Sequence, residues 1–313
     1  MITGDFQEKV DGAEACPGSV TDGGRFTSKL ESSEQRAWLG RFVREVRGDP
    51  IRIVVFVFLL LTTFVMLYPF YFMIRNSFMS SSQYFAGQGF STQSWTQLFS
   101  ALPVWREMLN STLICAASIA VIVLCSTMAG FTFAKLAFRG RGFAFVAVIG
   151  CMMIPVQSII IPEYVNLAHF GLINNYLSAI LVYGALGTPF ATFLMTAYFR
   201  GLPEEVIEAG LCDGLTYGRI YWRIALPMAR PALVTVVVLQ FIQIWDDLLV
   251  GLLFLQEPTN RTITVGLAAL SSGRVVSIPI LMAGAIMSAL PAIAVYLVFQ
   301  RYLIAGLTLG VSK

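Results

Sequence analysis

Six stretches of mainly apolar residues are each long enough to cross a bilayer as a helix, and they leave the chain few other ways to fold. They run approximately over Ile53–Ile74, Ser111–Ala134, Phe143–Ile161, Leu177–Phe199, Ala232–Leu255 and Ile278–Leu303. At about 1.5 Å of rise per residue, some 20 residues cover the hydrocarbon core. The runs lack the alternation of a membrane barrel strand, so the expected fold class is all-α, with six transmembrane helices. Composition agrees: 57% of the residues are hydrophobic and 12% charged, about half the charged share of an ordinary soluble domain.

An even number of spans puts both termini on one side, and the basic residues choose the side. Seventeen Lys and Arg fall on the side of the termini, against Arg75, Arg106, Arg261 and Arg274 on the other, accounting for all 21. Both termini are expected in the cytoplasm, and the net charge of +3 reads as topology, not as affinity for nucleic acid. Residues 1–50 form a separate cytoplasmic tail. Met1–Lys29 is polar, has no apolar segment of a signal peptide and reads as disordered. In Ser33–Arg47, Trp38, Leu39, Phe42, Val43 and Val46 share one helical face opposite arginines. This reads as a helix lying on the inner membrane surface or as an extension of the first span. The remainder, 51–313, is a membrane domain.

Between the fourth and fifth spans lies a polar loop of about thirty residues, roughly 200–230, with its own helix signals. Pro203 stands at a first helical position, Glu204 and Glu205 lie in the first turn beside the positive end of the dipole, and Gly214 serves as a C-terminal cap. The prediction is a short helix over Leu202–Asp213. Enzyme chemistry is not encoded. The cysteines Cys16, Cys115, Cys125, Cys151 and Cys212 lack metal-ligand spacing, and the single histidine, His169, read as a loop residue on the outer side, excludes a Ser-His-Asp site. No G-x-x-x-x-G-K-[ST] phosphate loop is present.

Within that loop, Glu208-Ala209-Gly210, then Asp213-Gly214, then Ile224 and Leu226-Pro227 resemble the E-A-A-x-x-D-G … I-x-L-P signature of permease subunits of binding-protein-dependent ABC importers. Asn110-Ser111, Phe138-Arg139-Gly140-Arg141, Ile154-Pro155, Trp245-Asp246-Asp247, Gln300-Arg301-Tyr302 and Gly306-Leu307 extend the resemblance to the six-span partner subunit of the carbohydrate-uptake branch. It covers nearly all of 51–313. Gly210 departs from the usual Ala, and Trp245-Asp246-Asp247 from the usual Trp-Asn-Glu or Trp-Asn-Asp.

The resemblance implies a type I importer fold with a cytoplasmic coupling helix seated in a cleft of an ATPase, in a bacterial or archaeal plasma membrane. Glu205, Glu208, Ala209, Gly210, Asp213, Gly214, Leu226 and Pro227 become the coupling residues. Glu208 offers a carboxylate, Ala209 and Gly210 keep the helix thin, and Val206, Ile207 and Leu211 supply apolar contact. The implied partners are a second permease in a heterodimer, two cytoplasmic ATPase subunits that bind ATP and Mg, and an extracytoplasmic binding protein. The chain itself holds no cofactor and no metal.

Gln240, Gln243 and Asp247 fall at helical spacing and give the fifth span a polar stripe, beside Asp246 and Trp245. Carboxylates within a span cost roughly 2.5–3.5 kcal/mol on insertion scales, so such groups face an aqueous path or another helix. Both readings of the stripe stand: a path for a hydroxyl-rich sugar, with Trp245 stacking on it, or a helix interface. The solute alternatives are glycerol phosphate or a polyamine, and the alternative machine is an ion-coupled secondary transporter using Asp246 or Asp247.

Overall fold

Every regular element in the computed structural model is helical across residues 50–273 and 277–308, which are the residues it describes. The tail, with the surface helix expected over Ser33–Arg47 and with Cys16, lies outside them. The chain divides into two units, Met1–Phe70 and Tyr71–Lys313. The first contributes most of helix α1 (Pro50–Ser77), in which the hydroxyls of Thr62 and Thr63 donate back to the carbonyls of Phe58 and Leu59, each at 2.8 Å. That internal bonding lets polar side chains sit in an apolar span.

In the second unit the chain continues through α2 (Ser81–Ala86), α3 (Gln93–Ala101), α4 (Val104–Lys135), α5 (Arg141–Gly150), α6 (Val156–His169) and α7 (Tyr176–Arg200). It then forms α8 (Glu204–Cys212), α9 (Tyr217–Ile220), α10 (Leu226–Met228), α11 (Arg230–Trp245), α12 (Leu249–Phe254), α13 (Ile263–Ser271) and α14 (Ile278–Thr308). Four of the six expected spans are unbroken helices, α1, α4, α7 and α14; the third corresponds to the bent pair α5–α6 and the fifth to α11 with α12.

The bends correct the sequence reading. The third span is not continuous: α5 and α6 meet at 95°. Pro155 holds Ile154 extended (φ −80°, ψ 117°) and supplies no N–H to carry the ladder through. The fifth span, expected over Ala232–Leu255, follows a 74° bend between α10 and α11, where Ala229 leaves helical geometry just before Arg230-Pro231. It also stops at Trp245, so Asp246 and Asp247 lie in a break before α12, not inside a helix. His169 ends α6 and is not a loop residue.

α4 and α7 run side by side in the same direction along most of their lengths. A Cβ on Gly130 would stand 2.8 Å from Met195 Cβ and 3.0 Å from the Thr196 nitrogen, so only glycine lets the two backbones come this close. At the Val104 end of α4, Asn110 secures the loop between α12 and α13. Its amide donates to the carbonyls of Thr259 (3.1 Å) and Arg261 (2.9 Å), and its oxygen accepts the Tyr176 hydroxyl at 2.7 Å. Ser111 adds an acceptor for the Ile263 N–H at 3.0 Å, so the loop backbone is satisfied by side chains of the bundle.

Candidate functional site

At the opposite end of α4, the loop after α7 folds on itself. Pro203 occupies the position before the helix, with α8 starting at Glu204 and ending at Cys212, so the helix expected over Leu202–Asp213 is slightly shorter. Gly214 takes the left-handed conformation (φ +76°) expected of a cap. The Gly214 N–H donates to the Leu211 carbonyl at 2.9 Å and the Leu215 N–H to the Gly210 carbonyl at 3.0 Å. These two bonds satisfy carbonyls that the helix end leaves open and turn Leu215 back against the core.

The loop has two faces. Ile207 and Gly210 are buried, and a Cβ on Gly210 would lie 3.1 Å from Ile220 Cγ1 and 3.3 Å from Ile224 Cδ1. Gly210 therefore lets α8 approach the returning limb of its own loop, and Ile207 packs inward, not outward as apolar contact for a partner. Glu205, Glu208, Ala209 and Asp213 are exposed, together with Leu211, Tyr217 and Trp222. Leu226 and Pro227 are half-buried and shape the return. Pro227 has no N–H to give the Arg223 carbonyl, and the turn before it widens so that the Leu226 N–H reaches the Tyr221 carbonyl.

Three residues that sequence reasoning left without a role, Lys135, Thr127 and Tyr221, fasten this loop. The Lys135 ammonium donates to the Leu202 carbonyl at 2.7 Å and pairs with the Glu204 carboxylate at 2.9 Å. The hydroxyls of Thr127 and Tyr221 share a hydrogen bond of 2.7 Å. Lys135 entered the sequence argument only as one more positive charge; its partners are 67 and 69 positions away.

A cavity of about 550 Å³ opens where the α5–α6 bend meets α7 and α11. Tyr183, Gln240, Gln243 and Asp247 supply its polar lining, and no Lys or Arg is among the lining residues. Asp247 accepts the Tyr183 hydroxyl and the Val250 N–H, each at 2.9 Å, so one carboxylate oxygen both faces the cavity wall and starts α12. Gln240 is buried against Gly187, where a Cβ would stand 2.5 Å from Gln240 Oε1 and from Ile122 Cδ1. The Gln240 amide nitrogen has no hydrogen-bond partner among the described residues. Asp246 is exposed and not part of the lining. Trp245 is placed elsewhere. Its indole N–H donates to the Ser288 carbonyl at 2.9 Å and its ring stacks on Phe241, so it seals the contact of α11 with α14 instead of facing the cavity.

Comparison with known proteins gives consistent matches. The family model described as "binding-protein-dependent transport system inner membrane component" matches residues 126–308. The probable ABC transporter permease protein YurM of Bacillus subtilis is 30% identical over 83% of this chain and 88% of its own. The arabinooligosaccharides transport system permease protein AraQ of Halalkalibacterium halodurans is 34% identical over 67% and 74%. The diacetylchitobiose uptake system permease protein NgcG of Streptomyces coelicolor is 27% identical over 82% and 87%. Among solved structures, one chain of a bacterial ABC transporter that imports the acidic polysaccharide alginate superposes with a TM-score of 0.72, covering 83% of this chain and 98% of that one at 22% identity. That likeness establishes the fold.

Proposed function

This chain belongs to the family of binding-protein-dependent transport system inner membrane components, and we propose that it forms half of the translocation path of an ATP-driven importer for a sugar or oligosaccharide. A second permease completes the path, an extracytoplasmic protein delivers the solute, and two cytoplasmic ATPase subunits bind ATP and Mg. The observation that carries the coupling role is the two-faced α8. Its apolar side is spent on the loop itself, and Glu205, Glu208 and Ala209 are left on a rigid outer face. Closure of the ATPase pair moves that face and switches the spans between their two openings. The excess of basic residues on the side of the termini supports a cytoplasmic place for this loop.

Two of the relatives are named for oligosaccharide solutes, and the cavity supports the same class here. A neutral sugar presents hydroxyls to the Gln240, Gln243 and Asp247 groups. An anion such as glycerol phosphate meets a carboxylate there and no basic side chain.

The test is purification from mild detergent beside a Glu208→Arg variant. The intact chain should bring down an ATPase, a second permease and a binding protein, with the ATPase depleted about ten-fold or more in the variant, as for loss of a central interface charge. A chain that purifies without any ATPase, and transports on an ion gradient, would overturn the assignment.

A further inference from the structure

Thr127, Phe131 and Lys135 stand four residues apart and therefore share one face of α4. Together they grip the end of α7 and both limbs of the loop that follows it. Thr127 bonds the Tyr221 hydroxyl on the returning limb. The Phe131 ring meets Phe199 edge-on with centroids 5.7 Å apart and lies 5.5 Å from the Tyr221 ring. Lys135 bonds Leu202 and Glu204, at the entrance of α8.

A lysine in the last turn of a helix ordinarily serves its own terminal carbonyls. The Lys135 side chain is instead fully buried and crosses to the next helix pair, whereas its partner Glu204 is 68% exposed. Burying an ammonium without acceptors is costly, so these two acceptors fix where the end of α4 sits relative to α8. Chain connectivity ties the loop to α7 and α11 alone. α4 is tied to it by this stripe of side chains. Further along α4, Ile122 and Gln240 crowd Gly187 together, so displacement of α4 reaches the wall of the cavity.

We propose that Lys135 is a positioning residue that hands the displacement of the coupling loop to α4, which presses on the cavity wall from behind through Ile122 and Gly187. The proposal rests on the reading of α8 as the ATPase-coupling helix. Its test uses the complete transporter in lipid nanodiscs, with a bimane fluorophore on Leu124→Cys, an exposed position of α4, in an otherwise cysteine-free chain. Mg-ATP with vanadate is the only addition.

The intact chain should show an ATP-dependent shift of the bimane emission. In Lys135→Met the shift should shrink about five-fold or more, the range of a typical coupling free energy, while ATP hydrolysis stays within about two-fold. Lys135→Arg, which keeps a buried cation, should restore most of it. An undiminished shift in Lys135→Met, or a shift and hydrolysis reduced in equal proportion, would overturn the proposal. So would an intact chain whose α4 gives no shift although the ATPase is bound. Should Lys135→Met fail to assemble, Glu204→Ala decides, because it removes the carboxylate that the Lys135 ammonium pairs with: a reduced shift supports the proposal and an unchanged one overturns it. An intact chain that recruits no ATPase would instead remove the coupling-loop reading itself, a result distinct from all of these.

Discussion

Gly210 and Gly214 stand four residues apart in the same loop and are there for different reasons. At Gly214 the backbone is left-handed and the space around it is open. A side chain there meets no neighbour but strains the backbone by about 1–2 kcal/mol. At Gly210 the backbone is an ordinary helix and the constraint is the ends of the Ile220 and Ile224 side chains at 3.1–3.3 Å, which can yield by tenths of an ångström. Gly214→Val should therefore speed amide exchange across residues 205–215 about ten-fold, whereas Gly210→Ala should leave it nearly unchanged. Hydrogen exchange of the purified protein separates the two. A valine at 214 that exchanged like the parent would show that this cap does not hold the loop.

Among elements, the pairing of α4 with α7 depends on small residues in the way that apolar helices in lipid require, since no hydrophobic force presses them together there. At Gly130 the neighbours are the Cβ of Met195 and the backbone of Thr196, which cannot move aside separately from α7. Gly130→Val should destabilise the purified protein by about 1–3 kcal/mol, as overpacking does, and lower its thermal midpoint. Gly184→Ala, facing the Val121 side chain with Cγ1 nearest at 3.2 Å, should shift it little. The sequence disclosed the existence of all six spans and the capped helix of the loop, because hydrophobic length and capping chemistry are local. It did not disclose that the third span is bent, that Asp246 and Asp247 sit in a break of the fifth, or that Trp245 bonds Ser288 instead of facing the cavity. Nor did it point to Lys135. Those facts depend on which helices become neighbours, and a pattern of apolar residues does not carry that information when nearly every residue is apolar.

At the scale of the whole molecule, the uneven distribution of Lys and Arg makes a statement about sidedness that Cys212 can check. It is exposed at the end of α8, in the loop assigned to the cytoplasm. In a chain keeping only Cys212, a membrane-impermeant maleimide should label inside-out vesicles and not right-side-out ones, and ATPase binding should protect the thiol. Labelling from the outside would invert the topology. The inward packing of Ile207 and Gly210 carries one more consequence, for assembly. Because α8 packs against its own chain, the loop should lose little conformational freedom when the proposed ATPase docks, and encounter rates should follow surface charge and salt. Until that arrival, Leu211, Tyr217 and Trp222 remain uncovered beside the acidic face. If α8 has the proposed coupling role, the surface that completes the machine also marks an orphaned copy as unfinished.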